Sequence, residues 1–175
     1  MRALSVWQPW PYAMIAWGKC VENRTWAPPR GVVGGPPLAI HAAQAVDAPA
    51  LEALARRGYR APPSLARGAV VCTVRVVAAV ARAPAIGPGA GRRLGNAIGA
   101  PWYTIIDAAV SPERVHALIG ADDGLWYAGD VGWVFDDVAA CAVPVGCRGQ
   151  QGIWTLPADV EYQVNQEVEH GRGTR

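Results

Sequence analysis

The chain has 175 residues, of which 51% are hydrophobic and 17% charged, with a formal net charge of +2 and a pI near 8.4. That length suits one domain with a sizeable core, while 20 glycines and 15 prolines favour a turn-rich β or α+β fold over a helix bundle. The weak net charge excludes coating of a duplex by charge alone, and the absence of an uncharged apolar run of membrane length or a leader pattern predicts a cytoplasmic protein.

In chain order, Leu4 to Val6 reads as a short apolar strand, and Gln8-Pro9-Trp10-Pro11 opens a helix, because proline in a first turn gives up no needed hydrogen bond. Gly18 ends that helix. Val21 to Trp26 alternates as a strand does, with Val21, Asn23 and Thr25 on one face and Glu22, Arg24 and Trp26 on the other. Leu38 to His41 is a second short strand. Asp47 caps a helix that has Pro49 in its first turn and ends near Arg57, before Gly58. The β-branched run from Gly68 to Val80 predicts a core strand interrupted by one charge, Arg75. Residues 82–99 read as a glycine- and proline-rich basic loop. Pro101 to Ile106 fits a strand or a packed loop, and Ser111-Pro112 starts a short helix reaching Leu118. Strands follow over Asp130 to Val143, and Ile153 to Leu156 closes the sheet. Beyond Pro157 the polar sequence has too few core residues to fold independently.

Cys20, Cys72, Cys141 and Cys147 have no C-x-x-C spacing and the histidines are scattered, so neither a metal nor another cofactor is expected. Buried thiols are expected instead. His41 reads as a hydrogen-bonded histidine at a strand end.

The densest chemistry lies between Leu4 and Trp26. Lys19 is the only lysine among sixteen Lys and Arg residues. A desolvated ammonium can lose its proton and a guanidinium cannot, so a single retained amine points to a specific task. The bland alternative is a solvated cation at a helix end. Trp10 and Trp17, seven apart on the helix, suit the core. Trp7 and Trp26 are the better stacking platforms for bases. Gln8, Gln150 and Gln151 carry amides able to read a base edge, with hydrogen bonding to turn backbone as the equal alternative. Arg148 suits phosphate or a pairing with Glu22.

Leu4-Ser5, Gln8-Pro9-Trp10, Gly18-Lys19, Val21-Glu22 and Arg24-Thr25-Trp26, followed by Leu38 to Ala43 and by Pro144 to Leu156, together resemble the activating-signal-cointegrator homology (ASCH) domain of the PUA-like superfamily. The resemblance implies an α+β fold: a small, mostly antiparallel PUA-like β-barrel flanked by helices, over residues 1–160, with 161–175 as a polar C-terminal tail. It also implies binding of RNA, single-stranded DNA or a modified nucleoside in a cationic, aromatic cleft. That cleft would lie between the Trp7–Trp10 turn, the Lys19–Trp26 segment and the Arg148–Trp154 hairpin. The expected binding residues are Trp7, Gln8, Lys19, Glu22, Arg24, Thr25, Trp26, Arg148, Gln150 and Gln151.

Some small members of the family are amidohydrolases of N4-acetylcytidine that use a lysine, a threonine and a distant glutamate. Lys19 matches that lysine, but Glu22 occupies the place of the threonine and Thr25 is out of register with it. A hydrolase acting through Lys19 and Glu22 is therefore the alternative reading, and a protein-interaction module the third.

Overall fold

The computed structural model describes residues 1–83, 103–120 and 125–173; the loop expected at 82–99 lies almost wholly outside these. Among the described residues are seven strands and four helices, most of the strand pairs are antiparallel, and the expected α+β class is the class observed. No described helix is long and apolar enough to cross a membrane. The chain divides into two compact units. Met1–Lys19, Pro36–Val74 and Asp137–Arg175 form the first, and Cys20–Gly35 with Arg75–Asp136 the second.

In the first unit, β1 (Arg2–Gln8) lies between β3 (Leu38–Val46) and β7 (Ile153–Thr155). The β1–β3 ladder is parallel, with Ser5 opposite His41, and the β1–β7 ladder is antiparallel, with Leu4 opposite Ile153. Parallel neighbours need a long crossover, and the chain between Gln8 and Leu38 supplies one that begins with α1 (Trp10–Ala16). Pro9 caps α1 and a proline stands in its first turn. Gly18, just past its end, adopts φ +70°, a conformation that costs glycine little. β3 runs five residues beyond the four expected. Its far end leads into α2 (Ala48–Arg56), where the Asp47 carboxylate accepts from Ala50 N–H at 3.1 Å as foreseen.

Residues 158–173, expected to be mostly a polar tail, are instead α4 (Ala158–Gly173). Val160, Val164 and Val168 recur every fourth residue and so line one helix face. They bury themselves with Ala3, Ala39, Val70, Val145, Trp154 and Leu156. The stripe is only one residue wide, and its polar surroundings dominate any compositional reading.

The second unit is built on β2 (Val21–Arg24), β5 (Tyr103–Ala108) and α3 (Pro112–Gly120), together with parts of the two longest strands, β4 (Ala69–Arg82) and β6 (Val131–Gly146). β2 pairs with β6, Val21 opposite Val134 and Arg24 opposite Val131, and β5 pairs with β4. Ser111 caps α3 through the Arg114 N–H at 3.3 Å. β6 is one continuous strand of 16 residues, so of the two expectations for 130–143, that the strand continues or that it re-enters the sheet, the first is met. Its core residues Trp133, Val134 and Phe135 are each no more than 2% exposed.

The α4 stripe can be tested directly. Val164→Ala removes two buried carbons, which lowers the unfolding free energy in urea by roughly 1.5–3 kcal/mol. The exposed neighbour Asn165→Ala stays within about 0.5 kcal/mol of wild type. Equal, small effects at both positions would take α4 off the core.

Candidate functional site

The first unit holds a buried imidazole at its centre. His41 is 3% exposed. Its Nε2 lies 3.1 Å from the Cys147 carbonyl oxygen and its Nδ1 3.2 Å from Ser5 Oγ. A carbonyl can only accept, so Nε2 carries the proton, Nδ1 is the acceptor, and the Ser5 hydroxyl donates to it. The Trp154 indole packs edge-on against the ring at 5.8 Å. Gly149 closes over the pair. A Cβ there would come within 2.4 Å of His41 Cε1 and 2.9 Å of Ser5 Oγ, so no larger residue fits without displacing the turn.

This clamp fixes what the turn after Cys147 presents. The antiparallel β1–β7 pairing ends at Leu4–Ile153, and the chain from Cys147 to Gly152 leads into that pair. Strand alternation puts Trp7 on the same face as Ser5. Trp7 is 58% exposed, and Arg148, Gln150 and Gln151 are all exposed. Four of the ten expected residues, an indole, a guanidinium and two amides, are thus exposed side chains of the first unit.

Gln8 and Lys19 are placed otherwise. Gln8 is 2% exposed; its Nε2 donates to the Ala66 carbonyl at 2.7 Å and its Oε1 accepts from Tyr12 N–H at 3.3 Å. The amide thus satisfies backbone instead of facing a ligand, because a buried amide left unpaired is costly. Lys19 is 1% exposed. Its ammonium lies 5.5 Å from the centre of the Trp10 ring, an arrangement favoured by the negative face of the indole. The expectation of a solvent-reached ammonium is corrected: the amine is buried.

In the second unit, Arg24, Thr25 and Trp26 line an open cavity of about 470 Å³, together with Asn23 and the segment Ala128–Asp130. Asn23, which sequence reasoning passed over, shapes it. Its Oδ1 accepts from Ala128 and Gly129 N–H at 2.9 and 3.0 Å, and its Nδ2 donates to the Trp126 carbonyl at 2.9 Å. A signal existed in the sequence, since asparagine readily mimics a backbone turn, but its partners are over a hundred residues away. Arg24 pairs with Glu22 at 3.1 Å, the Glu22 side chain being 10% exposed. Trp26 packs edge-on against Trp133 at 4.7 Å, and its carbonyl accepts from the Trp133 indole N–H at 3.0 Å. Thr25 is exposed. With Glu22 balancing Arg24 and the Asp130 carboxylate also in the lining, this cavity suits hydrogen-bond donors better than a phosphate.

Three of the four thiols are poor nucleophiles. Burial pushes Cys72 and Cys147 upward and Cys141 to about 11. Among the described residues no group of three His, Cys, Asp or Glu side chains is arranged to hold a metal ion.

No family model matches the chain, and no curated protein matches it. Among solved structures, the chain is similar to ASCH from Zymomonas mobilis at 10% identity and a TM-score of 0.46, over 94% of this chain and 93% of that one. It is also similar to a serine-to-alanine mutant of the same protein, at 11% identity and a TM-score of 0.46, over 94% of each.

The His41 clamp makes stability depend on pH. Burial lowers the imidazole below its ordinary value of 6.5, outweighing the bond to the Cys147 carbonyl. As pH falls below about 6.5, the unfolded chain takes up a proton that the folded chain refuses. Stability therefore drops from that point down to the folded-state pKa and is insensitive to this group above it. Urea melts from neutral to mildly acidic pH should show a steeper acid loss for wild type than for His41→Gln. Equal slopes would mean that His41 titrates alike in both states.

Proposed function

We propose that this chain is a nucleic-acid-binding domain of the ASCH kind, which holds an unpaired base of RNA or single-stranded DNA, or a modified nucleoside, against Trp7. The reading is carried by the 58% exposed indole of Trp7 on β1, and it is supported by the exposed side chains of Arg148, Gln150 and Gln151, which follow the Cys147 carbonyl held by His41 and, through it, by Ser5 of β1. An exposed indole offers a flat apolar face on which a base can stack. Stacking supplies affinity without sequence preference, while a guanidinium takes phosphate and amides read base edges. The N-terminal sequence resemblance points to the same class of ligand. In the second unit, the Arg24–Thr25–Trp26 cavity offers further hydrogen bonds to a base, with Asp130 able to accept from an exocyclic amine.

The hydrolase reading retains one supporting observation, a lone lysine desolvated against Trp10. Against it, the Glu22 carboxylate is engaged by Arg24, and Lys19 is only 1% exposed. Wild-type protein incubated with N4-acetylcytidine should release no acetate above the uncatalysed rate; clear product by chromatography would promote the hydrolase.

For the binding reading, Trp7→Ala should weaken affinity for a short single-stranded oligonucleotide by about 1–3 kcal/mol, the usual worth of one stacked base. The melting temperature should stay close to that of wild type, because the ring is largely exposed. Unchanged affinity in fluorescence anisotropy would remove Trp7 as the platform.

A further inference from the structure

A second surface of the first unit lies at the C-terminal end of α2, where Arg56-Arg57-Gly58-Tyr59-Arg60 places three arginines and a tyrosine in five residues. The backbone there is fixed. Gly58 adopts φ +93°, its N–H donates to the Ala55 carbonyl at 3.1 Å, and the Tyr59 N–H donates to the Leu54 carbonyl at 3.1 Å. This is the paired helix-ending bond pattern that glycine in a left-handed conformation allows. It turns the chain back so that the Tyr59 ring meets Trp17 at 5.2 Å, and Trp17 meets Tyr12 edge-on at 5.2 Å. All three rings are half-buried, so each keeps part of its surface in solvent.

The arginines stand beside this row, and all three are exposed. Arg60 Nη1 reaches the Ala55 carbonyl at 3.2 Å, which holds its guanidinium at the negative end of the helix. Arg56 approaches Glu52 only to 4.0 Å, with the two side chains 73% and 75% exposed, a pairing too loose and too solvated to engage either charge strongly. A helix dipole is complemented by one cation in the last turn. It does not call for three cations next to three aromatic rings. Cationic groups that track a backbone, together with aromatic surface for bases, are what a single-strand binder needs.

We propose that this surface is a second contact for single-stranded nucleic acid, with Arg56, Arg57 and Arg60 on phosphates and the Tyr59–Trp17 pair against a base. It rests on the nucleic-acid reading given above and extends the bound strand beyond the base held at Trp7.

The two can fail separately. Anisotropy titrations of the full chain with a fluorescent oligouridylate and an oligothymidylate of about 12 nucleotides, from about 50 to 200 mM salt, give the slope of log affinity against log salt. Arg56→Ala/Arg57→Ala/Arg60→Ala should make that slope shallower by about 2, since each single-strand phosphate contact contributes about 0.7. Tyr59→Leu should weaken binding at every salt concentration with the slope unchanged, and Trp7→Ala should do the same. The arginine variant should melt as wild type does, because the replaced groups are exposed. An unchanged slope in that variant, with Trp7→Ala still weakened, would overturn this surface and leave the Trp7 face standing. Wild type that binds neither oligonucleotide would overturn both, including the case in which it binds anionic lipid vesicles instead.

Discussion

The hydrogen-bonded imidazole of His41 is the constraint on which the candidate interface depends. Three separate pieces of chain meet at it: Ser5 from β1, His41 from β3 and the Cys147 carbonyl at the end of β6. The ring itself is buried, and a buried polar group that loses its partner costs about 1–3 kcal/mol. Gly149 is drawn onto the pair closely enough that only glycine fits. The turn is therefore anchored to His41 and Ser5, and a rigid turn binds with less loss of conformational entropy than a mobile one.

The second unit uses the same device with a different residue. Asn23 satisfies two backbone N–H groups and one carbonyl of the segment from Trp126 to Gly129, so a single side chain on β2 shapes the wall of the Arg24–Thr25–Trp26 cavity. Gly129 permits the close approach, since a Cβ there would meet Asn23 Cβ at 2.9 Å. Glu22 stands next to Asn23 in sequence and fixes Arg24. Adjacent residues of one short strand thus settle both the shape and the charge of that cavity.

Local chemistry was legible in the sequence wherever the cause was local. The proline-led start of α1, the Asp47 and Ser111 caps and the β-branched run of β4 depend on residues within a few positions of each other, and all formed as expected. What escaped depends on distant partners. Val160, Val164 and Val168 mark a helix only once Trp154, Leu156 and Val70 offer a surface to cover them. Lys19 and Gln8 were expected to face a ligand in the cleft, yet one is buried beside the Trp10 ring and the other between the Ala66 carbonyl and the Tyr12 N–H. His41 was read as hydrogen-bonded, but its role as a clamp could not be read, because Ser5 and Cys147 lie 36 and 106 residues away. Of the candidate site, the exposure of Trp7, Arg148, Gln150 and Gln151 agrees with their reading as surface groups; the His41 contacts that hold the turn could not be read.

The central claim is that an unpaired base stacks on Trp7 beside the 148–151 turn. Photo-crosslinking of a 4-thiouridine-containing oligonucleotide to the full chain, followed by peptide mass spectrometry, tests it without altering the protein. The account predicts adducts on Trp7 and on the peptide containing Gln150 and Gln151, competed away by unlabelled single strand. Adducts confined to other segments, or none above an unrelated control protein, would contradict it.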